Sequence, residues 1–238
     1  EHAERQVADG IDHVHTSQAT LAGFLNAFQR LRRAGYEVLC LTISSRLSGT
    51  YANAVLAARE LGGSHIEVVD SLTTCSGLYL LIREARKRIR EGAKLPTVAK
   101  ELSELRKRVR MRFSVDDMAP LRRSGRLGNV RMSISTVLNI KPILHVDDEG
   151  RLIPVNKVQG RITSIKALAK RMQETAIDPA GQVVFISHGD CEKEAEKLAE
   201  IVRESIGAKE IVINPIGPIV GAHSGPGTIA LFFLGTKR

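Results

Sequence analysis

Two almost unbroken apolar runs, EVLCLTIS (Glu37–Ser44) and HIEVVDS (His65–Ser71), flank a single helical segment, Tyr51–Leu61. A strand that is apolar on both faces must be covered on both. That is the environment of a parallel sheet with helices packed against it. The neighbouring segments repeat the unit. TLAGFLNAFQRLRRAGYE carries Leu21, Phe24, Leu25, Phe28 and Leu31 at helical spacing and stops at Gly35. Beyond the second run, Gly77–Arg90 places Leu78, Leu81, Ile82, Ala85 and Ile89 on one stripe. Pro96 suits the first turn of a further helix, Thr97–Val109. Alternating helices and buried strands predict crossover connections and a parallel sheet.

The second half has a different rhythm. KPILHVDDEGRLIPVNKV contains two short strands around Asp147-Asp148-Glu149-Gly150, a hairpin and hence an antiparallel element. GRITSIKALAKRMQETA and CEKEAEKLAEIVRESIG read as helices, the latter with Glu/Lys pairing, and QVVFISHG, EIVINPIG and TIALFFLGT read as strands. At 238 residues the chain exceeds one typical domain. The expected architecture is α/β in two domains: a parallel-sheet N-terminal domain, residues 1–112, and a mixed α+β C-terminal domain, residues 113–238. No low-complexity linker or internal repeat marks the boundary.

The net charge of +9 asks for a partner. Basic residues cluster in REARKRIREGAK (Arg83–Lys94) and RKRVRMR (Arg106–Arg112), interleaved with Ile, Leu and Val, which reads as solvated helix faces. Aromatics are 4% and tryptophan is absent, so nothing offers a stacking platform for single strands, and nucleic acid is not an expected partner. An acidic protein or an anionic membrane surface fits such faces better. The longest apolar stretches, such as Val38–Ile43 and Ile229–Leu234, are strand-sized rather than membrane-spanning. Cys40, Cys75 and Cys191 lack pair spacing, so neither a disulfide framework nor a zinc site is expected, and a reducing cytoplasm is the expected compartment.

Four segments are richer in Gly, Ser, Thr, His and Arg than turns require: HTSQ (His15–Gln18), SSRLSGT (Ser44–Thr50), LRRSGRLGN (Leu121–Asn129) and GAHSGPGT (Gly221–Thr228). SSRLSGT lies where a parallel strand hands over to a helix, the usual ligand position in α/β sheets. Backbone N–H groups and the helix dipole there favour an anion. Ser48 and Thr50 read equally well as helix caps or anion ligands, and Thr16 and Ser17 also read as caps. Arg126 sits between two glycines, and His223 sits in a glycine-rich turn before an apolar strand; each reads as a surface group or as a functional one. No P-loop, dinucleotide fingerprint, nucleophile elbow or metal-ligand spacing appears.

Taken in order, TSQ, TISSRLSGTYANAVLAA, VVDS, LRRSGRLG, LNIKPIL with its hairpin and PIGPIVGAHSGPGTIALFF resemble the DegV family of bacterial fatty-acid-binding proteins over nearly the whole chain. The resemblance implies two α/β domains with a long-chain fatty acid in a buried tunnel. It implies that the carboxylate is held by Thr16 and Ser48, with Ser17, Gly49 and Thr50 in the same loops. It places Arg126 and His223 at the mouth, facing the kinase or the acyl phosphate. It implies a carrier rather than an enzyme, with no cofactor beyond the fatty acid and no metal, which presents its ligand to a fatty acid kinase for acyl-phosphate formation and phospholipid synthesis. With that context the cap role fits Thr50 better than Ser48. One departure stands out: the family opens with a strand ending in Asp-Ser, and here only fifteen residues precede Thr16, none reading as that strand. Truncation and real loss both remain open, and with them one wall of the carboxylate site. Two other readings are a Ser/His acyl hydrolase using Ser48 and His223 and a basic module for nucleic acid.

Overall fold

The computed structural model of the chain describes residues 15–63, 65–127 and 139–236. Helix α1 (Leu21–Arg33) is opened by Thr20, whose Oγ1 accepts a hydrogen bond from Gly23 N at 3.1 Å, so the cap falls on Thr20 rather than on Thr16 or Ser17. Strand β1 (Val38–Thr42), helix α2 (Thr50–Glu60) and strand β2 (Ile66–Asp70) follow as a βαβ unit. The strands pair in parallel, from Val38 opposite Ile66 to Thr42 opposite Asp70. Phe28 of α1 and Ala54, Ala57 and Ala58 of α2 pack with Val38 and Ile66; the alanines let the helices lie close to the sheet.

Helices α3 (Ser76–Arg90) and α4 (Leu95–Leu105) lead through a 3-10 turn, Arg106–Arg108, into β3 (Val109–Ser114). A short helix α5 (Ala119–Arg123) comes next, then the hairpin of β4 (Ile140–Val146) and β5 (Leu152–Gln159). Helix α6 (Arg161–Thr175), β6 (Val183–His188), α7 (Glu192–Ile206), β7 (Glu210–Pro215), α8 (Pro218–Ser224) and β8 (Ile229–Leu234) complete the chain. The six later strands form one mixed sheet in the order β5-β4-β3-β8-β6-β7. Strand β8 is antiparallel to both β3 and β6, while β6 and β7 run parallel.

One face of this sheet packs against α6 and α7 through Ile165, Leu168, Met172, Leu198, Leu231 and Phe233. The other packs Met111, Phe113, Leu144 and Phe232 against Leu81, Val98 and Leu102 of α3 and α4. Two buried polar contacts tie the regions together. Ser44 Oγ, just past β1, donates to Gly150 O in the β4–β5 turn at 2.7 Å, and Ser76 Oγ lies 2.7 Å from Ser187 Oγ.

The run RKRVRMR corrects the sequence reading. It is not a solvated helix face: α4 ends at Leu105, and Val109–Ser114 is a strand buried along its whole length. The period is two, with Val109, Met111 and Phe113 in the core and Arg110, Arg112 and Ser114 turned to the opposite face. Arg110 is paired back to the carbonyls of Lys107 and Val109. Burial and the nearby Arg171 push the Arg112 guanidinium down to about 10. Residue 112, the expected boundary, lies inside this strand, and residues 71–108, with α3 and α4, connect the two-stranded sheet to the six-stranded one. The other basic run does lie on a helix, with Arg83, Arg86, Lys87 and Arg90 exposed on α3. The first fourteen residues, on which the question of the family's opening strand turns, lie outside the described residues, as do Gly128 and Asn129.

Candidate functional site

The junction from β1 to α2 is a tight turn in which the N–H groups of Leu47 and Ser48 both reach Ser44 O, at 2.9 and 3.2 Å. It delivers Ser48 to the first turn of α2. The cap position is Gly49, which has no side chain to offer. Ser48 supplies the missing acceptor: its Oγ receives Thr50 N–H at 3.3 Å and stands 2.9 Å from Thr50 Oγ1. Thr50 is the first helical residue and not the cap, which reverses the assignment made from sequence. Its hydroxyl instead accepts Ala19 N–H at 3.3 Å, drawing the HTSQ segment onto the helix. Gly49 lets the Gln18 side-chain amide rest against the helix start, where a Cβ would push it aside.

The opposite rim is built from the far half of the chain. Arg126 follows α5; its Nε reaches Leu47 O at 3.4 Å and its Nη1 donates to Ser124 O, so the guanidinium is held beside Ser48. His223 lies in α8, a helix that begins with Pro218, and not in the glycine-rich turn expected from the sequence. Gly225 closes α8 at φ +76°, with Pro120 of α5 too near for a side chain to sit easily. That contact fixes α8 against α5 and so His223 against Arg126. His223 Nε2 lies 2.6 Å from Thr16 Oγ1, joining residues 207 positions apart. Burial, reinforced by the charge of Arg126, lowers the His223 pKa from 6.5 and favours neutral imidazole.

Between the rims opens a cavity of about 530 Å³, lined at its mouth by Thr16, Ser17, Ser48, Gly49, Thr50, Arg126 and His223. Farther in, its walls are Ile43, Leu47, Met111, Phe113, Leu121 and Ala230. A cavity of this size with polar groups at one end suits an amphipathic small molecule. The described residues contain no group of three His, Cys, Asp or Glu side chains able to hold a metal, and no helix long and apolar enough to cross a membrane. The hydroxyl partner of His223 is Thr16 and that of Ser48 is Thr50, so Ser48 and His223 are engaged with different groups.

Several lining residues went unnoticed in the sequence. Ala19 takes part through its approach to Thr50, beside Gln18 of the HTSQ segment already singled out. Ile219 and Val220 come with α8, for which Pro218 was the available signal. Cys75 lines the wall from the strained start of α3, at φ +46°, and burial pushes its thiol up to about 11, as it does those of Cys40 and Cys191. All three thiols are free.

Comparison with known proteins points the same way. Residues 3–236 match the model described as "Uncharacterised protein, DegV family". A DegV domain-containing protein of Clostridium perfringens is 36% identical over 227 residues, covering 94% of this chain and 78% of its own. A protein of Thermotoga maritima named "Fatty acid-binding protein" is 33% identical over 217 residues, covering 90% of this chain and 75% of its own. The crystal structure of a DegV lipid-binding protein from Thermotoga maritima superposes with a TM-score of 0.86 at 30% identity, over all of this chain and 83% of that one. The chain belongs to the DegV family.

Proposed function

We propose that this protein is a carrier of a long-chain fatty acid, holding the tail in the apolar cavity and the carboxylate at its mouth. The observation that carries the reading is the convergence of Thr16, Ser48, Arg126 and His223, from four distant segments, on a cavity whose walls are largely apolar. A carboxylate brought out of water needs hydrogen-bond donors. If Thr50 gives its proton to Ser48, the Ser48 hydrogen is left for a ligand oxygen. If His223 carries its proton on Nε2, Thr16 is likewise free to donate. Thr16 and Ser48 then serve as the two carboxylate donors, with Ser17, Gly49 and Thr50 shaping the loops. Relatives whose names record fatty-acid or lipid binding support the ligand class.

The partner is a fatty acid kinase, to which the loaded protein offers its carboxylate for acyl-phosphate formation and phospholipid synthesis. Arg126 and His223 face that reaction and pair with the growing negative charge. The chemistry of transfer belongs to the kinase and its nucleotide, and the carrier works in the cytoplasm. The exposed cations of α3 suit the acidic surface of such a partner or a transient contact with an anionic bilayer.

Organic extraction of the purified protein followed by mass spectrometry tests the central reading. The expected result is a long-chain fatty acid near one per chain. An empty protein that fails to bind added fatty acid and hydrolyses nitrophenyl esters would overturn it. Loaded protein mixed with a fatty acid kinase and ATP is expected to yield acyl phosphate, and no yield would remove the kinase partner.

A further inference from the structure

We infer that Asn53 is a positioning residue of the carboxylate site, acting through the main chain of Ala19; this rests on the fatty-acid reading above. The segment carrying Thr16 and Ser17 has no helix or strand of its own, and from His15 to Thr20 every residue but Thr16 is exposed. Its hydroxyl must nevertheless be placed accurately, because hydrogen bonds weaken steeply with distance and angle. The hold is at Ala19. Its N–H donates to Thr50 Oγ1 at 3.3 Å, and its carbonyl accepts from Asn53 Nδ2 at 2.8 Å. Both partners stand in the first turns of α2, the helix whose start also places Ser48. One helix end thus fixes the spacing between the two hydroxyls that meet the carboxylate.

Asn53 is a poor choice for the helix itself, since its amide competes with backbone hydrogen bonding. Its own N–H keeps the helical bond to Gly49 O at 3.2 Å, so the side chain is free to reach outward to Ala19. Replacing it with alanine favours the helix. A loss of binding in Asn53→Ala would then not come from melting α2.

The test compares palmitate with hexadecanol, which has the same tail and no carboxylate, on the complete chain. Asn53→Ala and Asn53→Asp, neither able to donate to Ala19 O, are expected to lose palmitate affinity roughly tenfold, the scale of one well-placed hydrogen bond. Hexadecanol affinity is expected to change by less than about twofold, because the neutral group draws less on the donors. Amide exchange across residues 15–20 is expected to speed up in both variants, with the thermal midpoint of Asn53→Ala unchanged or raised. Unchanged palmitate affinity in both variants overturns the inference. So does an equal loss for both ligands, which would mean that Asn53 supports the fold rather than the headgroup site. A wild-type protein that binds neither ligand would sink the fatty-acid reading and this inference with it. Intact wild-type binding with indifferent variants would sink Asn53 alone.

Discussion

The two rims of the cavity use different chemistry. The rim made by residues 15–50 presents neutral hydroxyls organised by the start of α2, and the rim made by Arg126 and His223 presents basic groups held by α5 and α8. Neutral donors recognise a carboxylate with little dependence on pH or salt, whereas basic groups respond to the total negative charge in front of them. Under the proposed function the two rims divide the labour: the hydroxyl rim holds the acid, and the basic rim meets the more highly charged acyl phosphate.

The largest expected effect lies on the floor that both rims share. Phe113, buried in β3 and lining the cavity, should cost about 3–5 kcal/mol of stability as Phe113→Ala, read by urea denaturation. A smaller loss would mean that the cavity wall collapses to fill the space. The next effect should separate the rims. Ser48→Ala removes a donor to a charged group and is expected to weaken fatty-acid binding by about 2 kcal/mol, some 30-fold, in a displacement titration. Arg126→Ala and His223→Ala should leave that affinity within about threefold while lowering kinase-dependent acyl-phosphate formation on the order of a hundredfold. If all three variants weaken binding alike, the division of labour is wrong.

The smallest effect is on pH. His223 is held below its ordinary pKa of 6.5 in the fold, so its contribution to stability is fully present above that value and is lost as the pH falls through the folded-state pKa. Thermal midpoints should therefore fall more steeply below pH 6.5 in the wild type than in His223→Gln. A bound carboxylate should blunt that fall by stabilising the imidazolium. Identical profiles would mean that His223 is not the titrating group.

The βαβ start of the fold was legible because strand and helix periods alternate cleanly between residues 37 and 71. The hairpin at Asp147–Gly150 was legible from turn chemistry alone. Strand β3 was not, since arginines at 110 and 112 disguise a period of two as a charged surface, and burial of those side chains depends on neighbours from β4 and β8. Helix α8 was missed because seven residues containing a glycine hardly register as a helical period. The four site segments could be singled out by composition, and their order pointed to the family. Which atoms meet was beyond the sequence. The contact between Thr16 and His223 depends on β8 entering the sheet between β3 and β6 and on α8 resting against α5. The cap role expected of Thr50 fails because the cap position falls on Gly49, between Ser48 and Thr50.

The bond from Ser44 to Gly150 works as a seam. It joins the loop leaving β1 to the tip of the β4–β5 hairpin, and a Cβ at residue 150 would run into that serine and the backbone of Leu72. Parting the two sheets would exchange this buried bond for bonds to water, a loss of about 0.5–1.5 kcal/mol. The seam therefore also fixes the spacing between Ile43 and Leu152, cavity-lining residues that flank its two ends.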